Sequence, residues 1–212
     1  MPGLSVIVNA DVIDIGTDTP HNSDKFLVDS NVWYWMTYTR SNLGSSSRAP
    51  RPYQTTTYPN YVKSALSVNA EIFKCGLSLS EIGNRIESNE HDIFRKSSSQ
   101  DLTMKEFRHN HVTERANVVG EIELAWLQIE QYASRSLEVF VTDVAIGNSL
   151  NLIKSTQLDV YDLLMADAML QSGITSIITD DSDFVTVRGI KVFTANRTAI
   201  SEARRQNKLL IR

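Results

Sequence analysis

The stretch "SIITDDSDF" (residues 176–184) joins a short apolar run to a crowd of acidic side chains. Residues 176–179 have the length and the β-branched content of a buried strand. Asp180, Asp181 and Asp183 follow within four positions. An acidic, solvated turn is one interpretation of this crowding, and a metal site at the end of a buried strand is the other.

The region around this stretch alternates between predicted strands and helices. Apolar runs at 137–141 and 190–194 predict two further strands. Helices are predicted over 143–154 and from about 159 to 172, with Gly173 as the C-terminal stop of the second. Such alternation is typical of an α/β fold with a mostly parallel sheet, in which ligands bind beyond the carboxyl ends of the strands.

The N-terminal half begins with a similar strand end. "KFLVDSNVWYW" (residues 25–35) predicts a buried strand that ends at Asp29. Residues 40–60 contain three prolines and many hydroxyl side chains, so we expect a loop there. A helix is predicted over 61–73, followed by a short strand-like "GLSLS" and a helix that begins near Glu81.

The length of 212 residues is that of one domain, 1–212, with 42% apolar residues to form its core. Residues 1–24 are expected to form an N-terminal extension. The polar and charged segment 88–136 is expected to be an insertion that is partly helical, because residues 118–132 have the periodicity of an amphipathic helix.

Composition narrows the class of protein. The formal charge of -4 counts against a nonspecific DNA-binding module, although an acidic metal site remains compatible with it. Cys75 is the only cysteine, which makes an intrachain disulfide impossible and agrees with a reducing compartment. The N-terminus has no basic leader, and no apolar run approaches the length of a membrane span, so we expect a cytoplasmic protein.

Carboxylates recur at the ends or starts of the predicted elements. Each has an ordinary explanation: Asp29 as a turn residue, Asp162 as an acid that complements a helix dipole, and the aspartates after residue 179 as a solvated turn. Together they share one end of the predicted sheet, which favours a common pocket. Glu81 is the preferred fourth acid because a short strand-like piece precedes it, and Glu71 remains its rival.

Four segments, in this order, resemble the PIN-domain family of metal-dependent ribonucleases, which includes the VapC-type toxins: "FLVDSNVWYW", "LSLSEIGNRIE", "LDVYDLLMADAML" and "SIITDDSDF". The resemblance implies a PIN-like three-layer α/β/α fold with a central, mostly parallel sheet of about five strands, plus the insertion. In the family pattern Thr-x-Asp-x-Asp-Phe, which covers Thr179 to Phe184, Asp180 occupies a variable position.

The resemblance also implies an activity and a set of functional residues. RNA phosphodiester bonds would be hydrolysed with Mg²⁺ or Mn²⁺, hard cations that prefer carboxylate oxygen, and no protein nucleophile is expected. The implied catalytic residues are Asp29, Glu81, Asp162 and Asp181, and the implied metal ligands are these four with Asp183. Asn31 and Thr179 are candidates for orienting the ligands or contacting substrate.

Partners are implied with less detail. In the commonest bacterial context of the family the chain would be the toxin of a toxin–antitoxin pair, with an antitoxin protein as partner and a homodimer as assembly. Basic residues such as Arg40, Arg48 and Arg51 could meet RNA phosphates, although scattered basic residues are usually a solvated face. Trp33 and Trp35 could stack on bases, although such residues more often belong to the core or to a subunit interface. The alternatives are a noncatalytic RNA- or protein-binding PIN-like module, and a metal-dependent DNA nuclease or phosphatase.

Overall fold

The computed structural model describes residues 6–45 and 49–212, and in these ranges a single sheet of seven strands is surrounded by eight α-helices. The strands are β1 (Asp11–Asp14), β2 (Lys25–Val28), β3 (Glu71–Cys75), β4 (Arg135–Leu137), β5 (Ser176–Ile178), β6 (Lys191–Thr194) and β7 (Leu209–Leu210). The helices are α1 (Ser30–Thr37), α2 (Pro52–Ser67), α3 (Ser78–Ser98), α4 (Met104–Asn110), α5 (Val112–Tyr132), α6 (Asp143–Leu152), α7 (Val160–Ser172) and α8 (Arg197–Arg205), and a 3₁₀ helix spans Ser182–Thr186.

All strand pairs are parallel, and the order across the sheet is β4-β3-β2-β5-β6-β1-β7. The predicted α/β class with a parallel sheet is confirmed, but the sheet has seven strands rather than about five. The two additional strands are β1, which lies within the predicted N-terminal extension, and β7. Strand β7 has only two residues, which is too short to show a strand pattern in the sequence. In β1 the buried pair Val12 and Ile13 lies between two aspartates, so the sequence shows no apolar run there.

Alternate side chains of the strands enter two separate cores, one on each face of the sheet. Leu27, Ile177 and Val192 pack on one face with α7 and α8. Phe26, Ile178 and their neighbours pack on the other face with α1, α2, α3 and α5. The result is a three-layer α/β/α arrangement, as period-two burial along strands requires. In the part of the chain that is described, no helix combines the length and the apolar content needed to cross a membrane.

The predicted loop over residues 40–60 is wrong in its second half, where helix α2 begins at Pro52. Proline suits the first helical position because the N–H that it lacks would have no partner there. The side chain of Gln54 accepts a hydrogen bond from Arg51 N at 2.7 Å, which caps the helix. Its buried face includes Tyr58 and Val62. The prolines and hydroxyl side chains of residues 52–60 are typical of loops, so the sequence pattern does not reveal the helix.

Strand β3 occupies the end of the predicted helix 61–73, and "GLSLS" is not a strand. Ile72 and Phe73, assigned to that helix, are buried strand residues, and α3 begins at Ser78 within the quoted stretch. β-branched and aromatic apolar residues in a run of five fit either element until length and neighbours decide. Likewise β4 ends at Leu137, where the predicted strand begins.

Residues 88–136 consist largely of helix: the second half of α3, then α4 and α5. Buried polar contacts tie this segment to the body of the protein. Glu87 is 5% exposed and accepts hydrogen bonds from Arg108 Nε at 2.7 Å and from Arg115 at 2.6 Å. Asn89 Nδ2 donates to the hydroxyl of Tyr38 at 3.0 Å. Some charged side chains of this segment therefore stabilise its packing against the rest of the protein and are not simply a solvated surface.

Replacing Glu87 by glutamine is expected to lower the free energy of unfolding by about 1–2 kcal/mol, because three charge-assisted hydrogen bonds from two arginines are weakened or lost while both arginines stay partly solvated. In a chain of this length the melting temperature would fall by about 3–6 °C. The control is Glu202→Gln, which weakens an exposed pair with Arg205 and should leave the melting temperature unchanged. Equal melting temperatures for the two variants would contradict a fastening role for Glu87.

Candidate metal centre

Two neighbouring strands deliver the first acids to one edge of the sheet. Asp29 directly follows β2, and Thr179 directly follows β5; Val28 and Ile178 are paired in register. Asp29 N donates to Ile178 O at 3.1 Å, which continues the ladder past the assigned strands. Parallel strands place their carboxyl ends together, so Asp29 and Asp181 meet although 152 positions separate them.

The carboxylate of Asp29 is 1% exposed and is held by three neighbours. Ser30 Oγ donates to its Oδ1 at 3.0 Å. Thr179 Oγ1 donates to Oδ2 at 2.7 Å, and Asn31 Nδ2 donates to the same atom at 3.1 Å. Asn31 and Thr179, both singled out from sequence, therefore orient Asp29 in this structure.

Glu81 joins the site from the first turn of α3. The hydroxyl of Ser30 lies within hydrogen-bonding reach of both Glu81 and Asp29, and its single proton can bond to only one of them at a time. Burial raises the pKa of Glu81, the hydrogen bond from Ser30 lowers it, and the charge of Asp29 raises it further. Glu81 is thus coupled to Asp29 through one side chain.

The rival acid, Glu71, lies at the other end of the sheet. It is the first residue of β3 and pairs in register with Lys25, the first residue of β2. Its carboxylate forms ion pairs of 3.3 Å with Lys25 and with Arg135. The geometry therefore places Glu81, and not Glu71, beside Asp29.

Helix α7 contributes two acids, one of which sequence reasoning did not select. Asp159 caps the helix: its Oδ1 accepts a hydrogen bond from Asp162 N at 3.0 Å. One carboxylate oxygen each of Glu81, Asp159 and Asp162 lie within 4.8 Å of one another. The sequence indicates Asp159 only as a possible start of the helix. Its position could have identified it. Asp159 is the N-cap of α7 and Asp162 is the third residue of the helix, and side chains at these two positions face the same region in front of the helix.

The stretch after β5 supplies the remaining pair. Asp181 N donates to Thr179 Oγ1 at 2.9 Å, so Thr179 contacts both Asp29 and Asp181. Asp181 caps the 3₁₀ helix, with its Oδ1 accepting from Asp183 N at 2.8 Å. Asp183 is partly exposed. All five acids predicted as metal ligands thus belong to this end of the sheet, with Asp159 as a sixth.

Crowding of like charges changes the proton affinity of the cluster. Burial, followed by the charges of Asp29, Asp159, Glu81 and Asp181, raises the pKa of Asp162 to about 9. Burial and the neighbouring acids raise the pKa of Asp181 to about 6, against a lowering by its hydrogen bond from Asp183 N. The pKa of Asp183 is raised by burial and by Asp159. Protons or cations must therefore neutralise part of the cluster near pH 7.

Asp180 belongs to a different network, although it lies between Thr179 and Asp181. Its carboxylate accepts hydrogen bonds from the hydroxyl of Tyr53 at 3.0 Å, from Gln54 Nε2 at 2.6 Å and from the hydroxyl of Tyr58 at 2.6 Å. All three donors are on α2. Asp180 therefore links α2 to the end of β5. This structural role is consistent with its place at the variable position of the motif, outside the acidic cluster.

The same substitution at the two adjacent aspartates is expected to have different effects. Asp180→Asn replaces one of the two accepting oxygens by an amide N–H₂, which faces Gln54 Nε2 or the Tyr58 hydroxyl, and should lower the free energy of unfolding by about 1–2 kcal/mol. Asp181→Asn keeps an oxygen for Asp183 N and removes a repelled charge, so the free energy of unfolding should hold or rise. Denaturant unfolding in EDTA measures both; a larger loss in Asp181→Asn would contradict this division.

The other residues proposed from sequence to contact RNA are scattered. Trp33 is fully buried in the core, Trp35 is partly exposed, and Arg51 is exposed at the start of α2. Arg40 forms an ion pair of 3.2 Å with Glu90. Arg48 lies outside the described residues.

The fold and the site together define an α/β protein with an acidic cluster at the carboxyl ends of its parallel strands. A scan against protein-family models found no family that matches the sequence, and a search of curated proteins found no match.

Proposed function

We propose that this protein is a metal-dependent endoribonuclease of the PIN-like kind that hydrolyses RNA phosphodiester bonds. The observation that carries the proposal is the convergence of Asp29, Glu81, Asp162 and Asp181, drawn from four separate chain segments, on one edge of the sheet. Structural acids at strand and helix ends are common one at a time. Their convergence, with the pKa values of Glu81, Asp162 and Asp181 raised by burial and by the charges of neighbouring acids, is typical of functional sites.

The donor set fits Mg²⁺ or Mn²⁺. It consists of carboxylate oxygens without cysteine or histidine, which is the ligand chemistry of hard cations. Asp29, Glu81, Asp162, Asp181 and Asp183 would hold the metal, with Asp159 as an additional acid at the rim. A bound divalent cation supplies charge neutralisation at the phosphate and lowers the pKa of water so that hydroxide forms near neutral pH.

The chain's own residues contribute orientation and proton control. Thr179 holds Asp29 and Asp181 in a fixed relation by contacting both, and Asn31 donates to the same Asp29 oxygen, Oδ2, as Thr179 does. Ser30 directs its proton to either Asp29 or Glu81. Asp183 is more exposed than Asp29 or Asp162 and is placed to accept a proton at its carboxylate. No serine or cysteine nucleophile is required.

The test is cleavage of labelled single-stranded RNA and DNA with Mn²⁺, Mg²⁺ or EDTA. Wild type is expected to cut RNA only with a metal, and the double variant Asp29→Asn, Asp181→Asn should be inactive. Glu202→Gln is the matched control that should remain active. Cutting by the double variant or in EDTA would contradict the proposal. Cutting of DNA alone would indicate a DNA nuclease, and metal-dependent release of phosphate from monoesters would indicate a phosphatase.

The cellular role is part of the same proposal: a cytoplasmic toxin, homodimeric and bound by an antitoxin protein. The single cysteine, Cys75, is buried, which agrees with a reducing compartment. Phe140, Val141 and Val144 are 71%, 64% and 73% exposed, as expected of side chains that contact a partner. Light scattering of the purified protein tests the dimer. Growth arrest on expression, relieved by the product of a neighbouring gene, tests the toxin role.

A further inference from the structure

A cleft of about 480 Å³ lies beside the carboxylate cluster, between α1, α3 and the start of α2. Its lining includes Tyr34 and Trp35 of α1, Asn84 and Arg85 of α3, and Gln54 of α2. The volume is that of a small-molecule or nucleotide site. The lining combines aromatic rings, amides and one cation, and it contains none of the acids of the metal centre.

Both sides of the cleft connect directly to the acidic centre. On one side, Arg85 donates a hydrogen bond to Asn31 Oδ1, and Asn31 Nδ2 in turn donates to Asp29. On the other side, Gln54 Nε2 donates to Asp180, the residue before Asp181. A chain bound in the cleft would therefore continue into the space in front of the acids.

Arg85 is placed to receive an anion. Its guanidinium lies 4.7 Å from the centre of the Tyr34 ring, a cation–π contact that stabilises its position. In the part of the chain that is described, the hydrogen bond to Asn31 uses one of its five N–H donors, so most of them remain for a ligand. A phosphate that approaches a chain of net charge -4 and a cluster of six acids needs such a local cation.

Trp35 supplies an aromatic surface on the same wall. It is partly exposed, in contrast to the fully buried Trp33, and its ring packs 5.5 Å from that of Tyr58, which anchors it. A base that stacks on such a ring gains about 1–3 kcal/mol, whatever its identity. A phosphate-binding cation and a stacking surface side by side are what an unpaired nucleotide requires.

We infer that this cleft binds the single-stranded segment adjacent to the phosphodiester bond that is cut, with Arg85 on a backbone phosphate and Trp35 against a base. The inference rests on the proposed function, since it names where that site's substrate is held. Double-stranded substrate would not fit the same contact, because its bases are stacked on one another and cannot reach Trp35.

The experiment is fluorescence anisotropy of a labelled ten-nucleotide single-stranded RNA, of the same RNA annealed to its complement, and of the matching DNA, with the complete protein in EDTA. The variants are Arg85→Gln and Trp35→Leu. Controls are Arg204→Gln, exposed in the last turn of α8, and Trp126→Phe of α5. Each cleft variant is expected to raise Kd about 5- to 100-fold for RNA, and the controls less than about 2-fold.

Salt dependence separates a phosphate contact from a structural effect. Loss of one contact should reduce the slope of log K against log salt by about 0.7 in Arg85→Gln, and Arg85→Lys should restore it. Trp35→Phe should keep the affinity but lose the quenching of tryptophan fluorescence by RNA, which Trp126→Phe should retain. These readouts apply to folded variants, which unchanged melting temperatures identify.

The outcomes test substrate binding in the cleft separately from the proposed nuclease activity. Unchanged Kd and unchanged salt slope in both cleft variants would overturn the inference, even in a protein that cuts RNA. Binding that depends on Arg85 and Trp35, in a protein that never cuts RNA with Mn²⁺ or Mg²⁺, would support the cleft and overturn the proposed nuclease. Equal affinity for duplex and single-stranded RNA would also overturn the cleft.

Discussion

Asp162→Asn is expected to lower the rate of metal-dependent RNA cleavage by about 1,000-fold, because the proposed metal site loses a carboxylate that is surrounded by four other acids. A divalent cation supplies several kcal/mol of transition-state stabilisation, and each 1.36 kcal/mol is a factor of ten in rate. The substitution preserves the shape of the side chain in the first turn of α7, so the fold should persist. Initial rates on labelled RNA in Mn²⁺ measure the effect.

The matched control is Asp167→Asn on the same helix. Asp167 is 8% exposed, as Asp162 is, but it lines a separate cavity beside Glu138 and Phe140. Its replacement should leave the rate within about threefold of wild type. Asp159→Asn keeps the helix cap, since asparagine caps as well as aspartate, and removes only the charge. Asp159→Asn is therefore expected to have a rate between those of Asp162→Asn and Asp167→Asn. Wild-type activity in Asp162→Asn would contradict the assignment of the site.

The metal-free protein is expected to lose stability as the pH rises from about 5 to 9, and a divalent cation should restore it. The folded pKa of Asp162 is about 9 and that of Asp181 about 6, against about 4 in the unfolded chain. A carboxyl with a raised folded pKa contributes stability that is full below the unfolded pKa. That contribution disappears as the pH rises through the folded pKa.

The expected size follows from proton linkage. Between the pKa values of the two states, a folded protein that holds one additional proton loses about 1.4 kcal/mol per pH unit. In a chain of this length, that corresponds to a fall of about 3–5 °C in melting temperature per pH unit. Metal and protons compete for the same carboxylates, so the stabilisation by Mn²⁺ should be larger at pH 8 than at pH 5.5.

Thermal unfolding in EDTA and in Mn²⁺ at the two pH values checks this prediction. Asp162→Asn should flatten the pH dependence in EDTA and reduce the stabilisation by Mn²⁺, whereas Asp167→Asn should behave as wild type. A melting temperature in EDTA that rises from pH 5.5 to 8, or a metal-induced shift of the same size at both pH values, would contradict the charge repulsion described for the cluster.

Local pattern was sufficient for the elements that carry most of the site. Asp29 and Asp181 are recognisable because each follows a run of buried apolar residues, and an abrupt change to acidic residues is visible in one dimension. Helix α7 was predicted with its stop at Gly173, which adopts φ 69°, the left-handed conformation that glycine favours. The acids at these ends were accordingly predicted as one constellation.

Local pattern failed where burial depends on distant partners. The first part of helix α2, up to residue 60, reads as a loop because its buried face includes Tyr58, whose hydroxyl is satisfied by Asp180 far away in the chain. The sequence favoured Glu81 over Glu71 on the strength of a preceding strand, and that strand is not the one expected, since β3 itself begins at Glu71. Only the register of β3 with β2 shows that they lie at opposite ends of the sheet.

By itself, then, the sequence determined the α/β class, the parallel sheet and the strand ends at which acids occur, because periodicity and composition are properties of neighbouring residues. Tertiary structure decided which acids share a pocket: β2 and β5 lie side by side, α7 adds Asp159, and α2 draws Asp180 away from Asp181. Convergence of side chains depends on strand order and on packing between layers, and these contacts join residues that are more than a hundred positions apart.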